Sequence, residues 1–206
     1  MSGLSTLSFH ETKNFSCGEG GALLINNKKY IKRAEIIREK GTNRSEFFRG
    51  IIDKYTWVDL GSSYLPSDIL AGFLYAQLEQ HKEIKSKRKK IWDYYFKNLN
   101  TWAKKNDITL PYIPSHCDQA YHMFYILLPS LKDRTNFIKE MDKKGIGCVF
   151  HYIPLHSTPM AKKNGWDNKN CPVSEEISNR IVRLPFYNDL FPHIDIVIDK
   201  IKEFKV

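Results

Sequence analysis

The stretch Ser8-Phe9-His10-Glu11-Thr12-Lys13-Asn14, followed by Gly18-Glu19-Gly20-Gly21-Ala22, decides how this chain is read. Leu7-Ser8-Phe9 and Ala22-Leu23-Leu24-Ile25 have strand character, and the polar segment between them reads as a turn. Three glycines in four residues predict a backbone that turns tightly or closely approaches another group. Lys13 sits in this turn, with the hydroxyl of Ser8 five residues before it and the glycine cluster five residues after it. A lone lysine is ordinarily a solvated surface charge. A lysine that forms a Schiff base must present a neutral amine, and burial depresses the pKa of an ammonium group. A nearby hydroxyl can hold a phosphate oxygen, and glycines admit a cofactor to the backbone.

Working outward, Asn26-Asn27 opens a helix through about Lys40, with Ile31, Ala34, Ile36 and Ile37 as its apolar stripe and Gly41 as its stop. Residues 42–66 lack periodicity and are rich in polar and aromatic types, which in a compact protein marks a loop with a task. Pro66-Ser67-Asp68 is a helix start with Ser67 as N-cap, and Ile69, Leu70, Phe73, Leu74, Leu78, Ile84, Ile91, Trp92, Tyr95 and Leu99 continue at helical spacing. These predict one long helix bridging two structural units. Beyond Pro111, strands at 120–128, 147–151 and 182–184 alternate with helices at 132–144, 174–180 and 192–204, the pattern of a small α/β domain.

The composition is 42% hydrophobic and 27% charged over 206 residues, enough for one core or somewhat more. No apolar run approaches the length of a membrane span, and the first residues carry neither a basic nor an apolar leader region, so a cytoplasmic chain without signal peptide is expected. Cys17, Cys117, Cys148 and Cys171 have no metal or redox spacing, which predicts free thiols and no metal site. The net charge is +9, and Lys85-Ser86-Lys87-Arg88-Lys89-Lys90 contributes to it. Without a nucleic-acid module beside it, this run reads as the solvated face of a helix, so no nucleic-acid partner is expected; a basic chain also favours anionic small substrates.

The lysine stretch resembles the cofactor-lysine motif of the DegT/DnrJ/StrS family of sugar aminotransferases. The likeness continues through Gly41-Thr42-Asn43-Arg44, Asp53-Lys54-Tyr55-Thr56-Trp57-Val58-Asp59, Gly61-Ser62-Ser63-Tyr64-Leu65 and His151-Tyr152-Ile153-Pro154-Leu155-His156. The resemblance implies an α/β chain: the C-terminal part of a fold-type I aminotransferase that uses pyridoxal 5'-phosphate (PLP) and works as a homodimer. It divides the chain into a remnant of the large PLP-binding domain at 1–66, a long bridging helix at 67–104, and a small C-terminal domain at 105–206 with a short, mainly antiparallel sheet. Lys13 would carry the cofactor, and its freed amine would move the proton during transfer.

Ser8 matches the family serine at the cofactor phosphate, and His10 is a near-cofactor residue. Ser63 stands where many relatives have an asparagine that reaches the partner subunit's phosphate. Asn43 and Arg44 either bind an anionic group or cap the helix before them, and His151, Tyr152 and His156 match the segment near the nucleotide sugar. Relatives acting as dehydratases have histidine in place of the lysine, so Lys13 points to amino transfer. The expected substrates are a dTDP-4-keto-6-deoxyhexose and an amino-acid donor, glutamate foremost, in cell-surface polysaccharide or antigen sugar biosynthesis. Relatives carry a long segment before the lysine motif that holds the ring-nitrogen aspartate and the phosphate loop. The chain is accordingly expected to be inactive alone, as a remnant or as one half of a split enzyme.

Overall fold

The computed structural model describes residues 3–167 and 170–206. The chain forms two compact units, one running to His81 and the other from Lys82 to Val206.

The first unit opens with an antiparallel hairpin of β1 (Leu4–Ser8) and β2 (Gly21–Ile25), in register from Leu4 opposite Ile25 to Ser8 opposite Gly21. Leu4, Leu23 and Ile25 share one face, and Leu7, Ala22 and Leu24 share the other, so the hairpin is apolar on both sides. A 3-10 turn at Lys28–Tyr30, capped by the Asn27 side chain on Lys29 N, leads into α1 (Ile31–Arg38). The apolar stripe of α1 is not buried. Gly41, at φ 75, passes so close to the Asp59 carbonyl that a Cβ would lie 1.8 Å from that oxygen.

Residues 42–66 contain a short helix, α2 (Arg44–Phe48), which the sequence pattern did not announce. Ion pairs tie this region to α1: Lys32 with Glu46 at 2.7 Å, and a forked pair from Arg49 to Glu35 at 2.9 and 2.5 Å. The Arg49 hydrogen bonds hold the Glu35 carboxyl below its ordinary pKa.

The expected single helix from 67 is two helices, α3 (Asp68–Glu79) and α4 (His81–Lys105). Ser67 caps α3 through Leu70 N, as expected. At Gln80 the backbone turns to ψ 13, its N–H bonding back to Ala76 and Gln77 O while the His81 ring meets the Leu78 carbonyl at 2.8 Å. Local capping of these carbonyls replaces the continuous ladder, and no glycine or proline marks the break.

The second unit is built on α4, whose Arg88, Ile91, Trp92, Tyr95, Leu99, Trp102 and Ala103 are buried at helical spacing. A three-stranded antiparallel sheet, ordered β3 (Tyr125–Leu127), β5 (Ile181–Arg183), β4 (Val149–Phe150), carries α5 (Leu131–Lys143), α6 (Pro159–Lys163), α7 (Pro172–Arg180) and α8 (Ile194–Lys202) in its connections and after it. The core joins α4, Phe124, Ile126 and Leu128, Phe137 and Met141 of α5, Val182, and Ile194, Val197, Ile198 and Ile201 of α8. The strand expected at 120–128 is shorter because Tyr121 lies at φ 48. The basic run is not all solvated: Lys85, Lys87 and Lys89 pair with Asp118, Glu83 and Asp93, whereas Arg88 is buried.

Candidate active site

Lys13 lies at the tip of the first hairpin. Beyond the strands the ladder continues from Phe9 N to Gly20 O at 2.8 Å and from Glu11 N to Gly18 O at 2.7 Å, and Lys13 N then closes on His10 O at 2.9 Å. Gln77 of α3 fastens the return side through Ser16. Ser8 Oγ accepts from His10 N at 3.4 Å, and the His10 ring stands 3.1 Å from Thr12 Oγ1 and 3.5 Å from Glu19. Ser8, His10 and Lys13 therefore form one local group.

Lys13 is exposed, at the tip of a hairpin whose strand residues are themselves largely exposed. The glycines are accounted for by the hairpin itself: a Cβ on Gly20 would lie 2.5 Å from Cys17 Sγ, and one on Gly21 would lie 3.0 Å from Leu7 O. Cys17 is buried, and its Sγ reaches Glu19 O at 3.3 Å.

Arg44 and Ser63 are both tied to Glu39 at the end of α1, and Asn43 pairs with Thr56 beside them. Ser63 forms a bridge with Glu39, while Ser62 N and Tyr64 N take the Ile37 and Arg38 carbonyls at 2.9 and 3.1 Å. Asn43 Oδ1 accepts from Thr56 N at 2.8 Å. The Arg44 guanidinium stands 4.9 and 5.8 Å from the Phe48 and Tyr55 rings and 3.9 Å from Glu39, with its Nε buried and unpartnered. Among the described residues, no hydrogen bond or ion pair joins this group to Ser8, His10 or Lys13.

His151, Tyr152 and His156 line a cleft of about 550 Å3 in the second unit, with Val173, Ile177 and Ile181 as its apolar wall. His156 Nε2 meets Glu175 at 2.8 Å; an ionised carboxylate only accepts, so the proton sits on Nε2. The His151 and Tyr152 rings lie 5.1 Å apart, and Ser178 Oγ donates to Tyr152 O. Burial, and then the positive charge of Arg183, hold the His151 pKa below its ordinary value. Sequence reasoning missed Gln77 and Glu175, because each acts through a contact distant in sequence and no local pattern marks it.

The model of the DegT/DnrJ/EryC1/StrS aminotransferase family matches residues 1–202. The chain belongs to this family. Family members use pyridoxal phosphate. An uncharacterized protein of Methanocaldococcus jannaschii is 30% identical over 98% of the chain and 53% of its own length. The GDP-perosamine synthase of Escherichia coli O157:H7 is 25% identical over 98% and 51%. The chain thus spans about half the length of these curated family relatives.

Among solved family structures, a putative sugar aminotransferase of Streptococcus pneumoniae in its PMP form superposes with a TM-score of 0.84 at 24% identity, covering 98% of this chain and 51% of that one. A Helicobacter pylori aminotransferase involved in the biosynthesis of pseudoaminic acid gives 0.85 at 18%, covering 98% and 53%. The α/β fold seen here, with long helices and short antiparallel sheets, is the fold of about half of such an enzyme.

Proposed function

We propose that this chain supplies the lysine-bearing half of a PLP-dependent nucleotide-sugar aminotransferase. The observation that carries the reading is Lys13 at the tip of a hydrogen-bonded hairpin, with Ser8 and His10 beside it, inside a family match over residues 1–202. An amine for covalent attachment and a hydroxyl able to donate to a phosphate oxygen are the contributions a PLP site asks of this segment, so the residues present fit the cofactor. When bound, PLP supplies an electron sink for the carbon that loses its proton. Lys13 would hold the cofactor and move the proton, Ser8 would bind its phosphate, and His10 would contribute to the same cofactor site.

In the second unit His151, Tyr152 and His156 contact the nucleotide sugar, the cleft they share supporting that assignment. Asn43 and Arg44 contribute to substrate binding, and Ser63 reaches a partner subunit's cofactor phosphate, with residues 42–65 crossing the interface of a homodimer. The substrates are a dTDP-4-keto-6-deoxyhexose and glutamate, and the setting is cytoplasmic synthesis of a cell-surface polysaccharide sugar. No helix among the described residues is long and apolar enough to cross a membrane. A second reading is a folded, non-catalytic remnant or one half of a split enzyme; the exposure of Lys13 and of the hairpin faces supports it.

The test is to complement the chain with the N-terminal half of a relative, add PLP, reduce with borohydride and map the modified peptide. Label on Lys13 is expected. Label on another lysine with Lys13 untouched removes the assignment, and label on Lys13 without turnover favours the second reading.

A further inference from the structure

The small sheet has one packed face and one that carries unspent basic groups. Ile126 and Val182, adjacent on β3 and β5, are fully buried on the first. On the second, Arg183 of the central strand is flanked by Tyr125 of β3 and Val149 of β4. Side chains alternate along a strand, so His151, two residues beyond Val149, returns to this face diagonal to Arg183 and opposite Ile181. His151 and Ile181 both line the 550 Å3 cleft, and Arg183 stands beside them in the sheet register, outside the cleft's own lining.

Among the described residues, neither basic group is compensated: Arg183 Nε and His151 Nδ1 are both shielded from solvent and lack hydrogen-bond partners there. Arg180, three residues earlier, spends its charge on Leu128 O and Glu176. Arg183 has no such acceptor among the described residues. The other titratable groups near this face are Tyr125 on β3 and, across the cleft, His156 and Glu175, which are paired with each other. A shielded donor without an acceptor costs free energy, and a guanidinium fork matches the oxygens of carboxylate and phosphate.

We propose that Arg183 and His151 form an oxyanion-binding site on this face, taking a substrate's phosphate or carboxylate group. The anion supplies the missing acceptor to Arg183. It also reverses the electrostatics at His151, whose protonation is opposed by burial and by Arg183 while the site holds no anion. Anion binding therefore draws a proton onto the imidazole, which becomes a second donor. The site goes beyond the cofactor reading and does not depend on Lys13.

The experiment uses the 206-residue chain with isotope-labelled histidines, titrated with inorganic phosphate in one arm and L-glutamate in the other while the His151 ring resonances are followed against pH. A saturable His151 response is expected in at least one arm, with its titration midpoint moving upward when anion is bound. Response to phosphate alone assigns a phosphate group, and response to glutamate alone assigns a carboxylate. Arg183→Gln abolishes the response and, without anion, raises the midpoint, because a neighbouring positive charge is gone. Arg183→Lys keeps the charge without the fork and binds about tenfold more weakly. Silence of His151 in both arms, or an equal response in Arg183→Gln, overturns the proposal. Where Arg183→Gln fails to fold, unchanged affinity in Arg183→Lys overturns it instead.

Discussion

Gln77 grips the backbone of Ser16 with both of its polar groups, Oε1 accepting from Ser16 N at 3.1 Å and Nε2 donating to Ser16 O at 2.6 Å. The reciprocal pattern fixes which end of the amide is oxygen. Ser16 lies three residues after Lys13, so the position of the lysine tip is set by a helix 61 residues further along the chain.

Replacing Gln77 with alanine should leave two part-buried backbone groups unpaired and loosen the tip locally by about 1–3 kcal/mol. Hydrogen exchange at the Ser16 amide should accelerate by about tenfold or more, while the body of α3 stays protected. Gln77→Glu retains an acceptor and loses the donor, so an intermediate rate is expected. Equal protection of Ser16 in wild type and Gln77→Ala would mean that the turn holds itself.

Arg88 plays a comparable part in the second unit. Its Nε donates to Tyr121 O at 2.8 Å, one terminal nitrogen donates to His122 O at 2.5 Å, and the other donates to Asn188 Oδ1 at 3.2 Å, with the Phe186 ring 4.9 Å away. These bonds stabilise the left-handed turn at Tyr121. Arg88→Met, which keeps the stem and abandons the acceptors, should destabilise the unit by about 2–3 kcal/mol. Urea unfolding followed by Trp92 and Trp102 fluorescence measures it, and a loss under half a kcal/mol, the range of an ordinary surface substitution, would show the bonds to be dispensable.

The sequence made some of this legible and concealed the rest, for identifiable reasons. The hairpin, the Ser67 cap and the stripe of α4 were readable because each is written in neighbouring residues. The break at Gln80 was not, because capping by the His81 ring leaves no glycine or proline behind. The role of Arg88 was hidden inside a run of cations, where pattern cannot distinguish the one that turns inward. The site residues were recognisable by resemblance, yet Glu175 and Arg183, which surround two of them, lie on elements whose contacts are long-range.

The thiols should separate cleanly by reactivity. Cys148 is buried, and burial pushes its thiol up to about 12, so almost no thiolate exists at pH 8. Cys117 is exposed. Under native conditions iodoacetamide should label Cys117 rapidly and Cys148 only after denaturant is added. Rapid native labelling of Cys148 would mean that the core around α4 and β4 opens far more readily than its packing implies.

The last prediction is that this chain alone does not transaminate. Among the described residues, the first unit has one buried hydrophobic side chain, Cys17, whereas the second buries a continuous cluster from Ile91 to Phe204. Leu4 and Leu23 on one hairpin face and Leu7 and Leu24 on the other are 41–50% exposed, the pattern of strands that function with layers packed on both sides. A two-stranded hairpin is marginal in water, so the tip bearing Lys13 should fluctuate and not hold a reacting geometry. Hydrogen exchange should be fast across β1 and β2, slower at the Ser16 amide held by Gln77, and slow across α4 and α8. Incubated with PLP, glutamate and a dTDP-4-keto-6-deoxyhexose, the chain should form no amino sugar above the level of free PLP. Turnover that disappears in Lys13→Ala would overturn this and require that the exposed lysine tip assemble a complete cofactor site by itself.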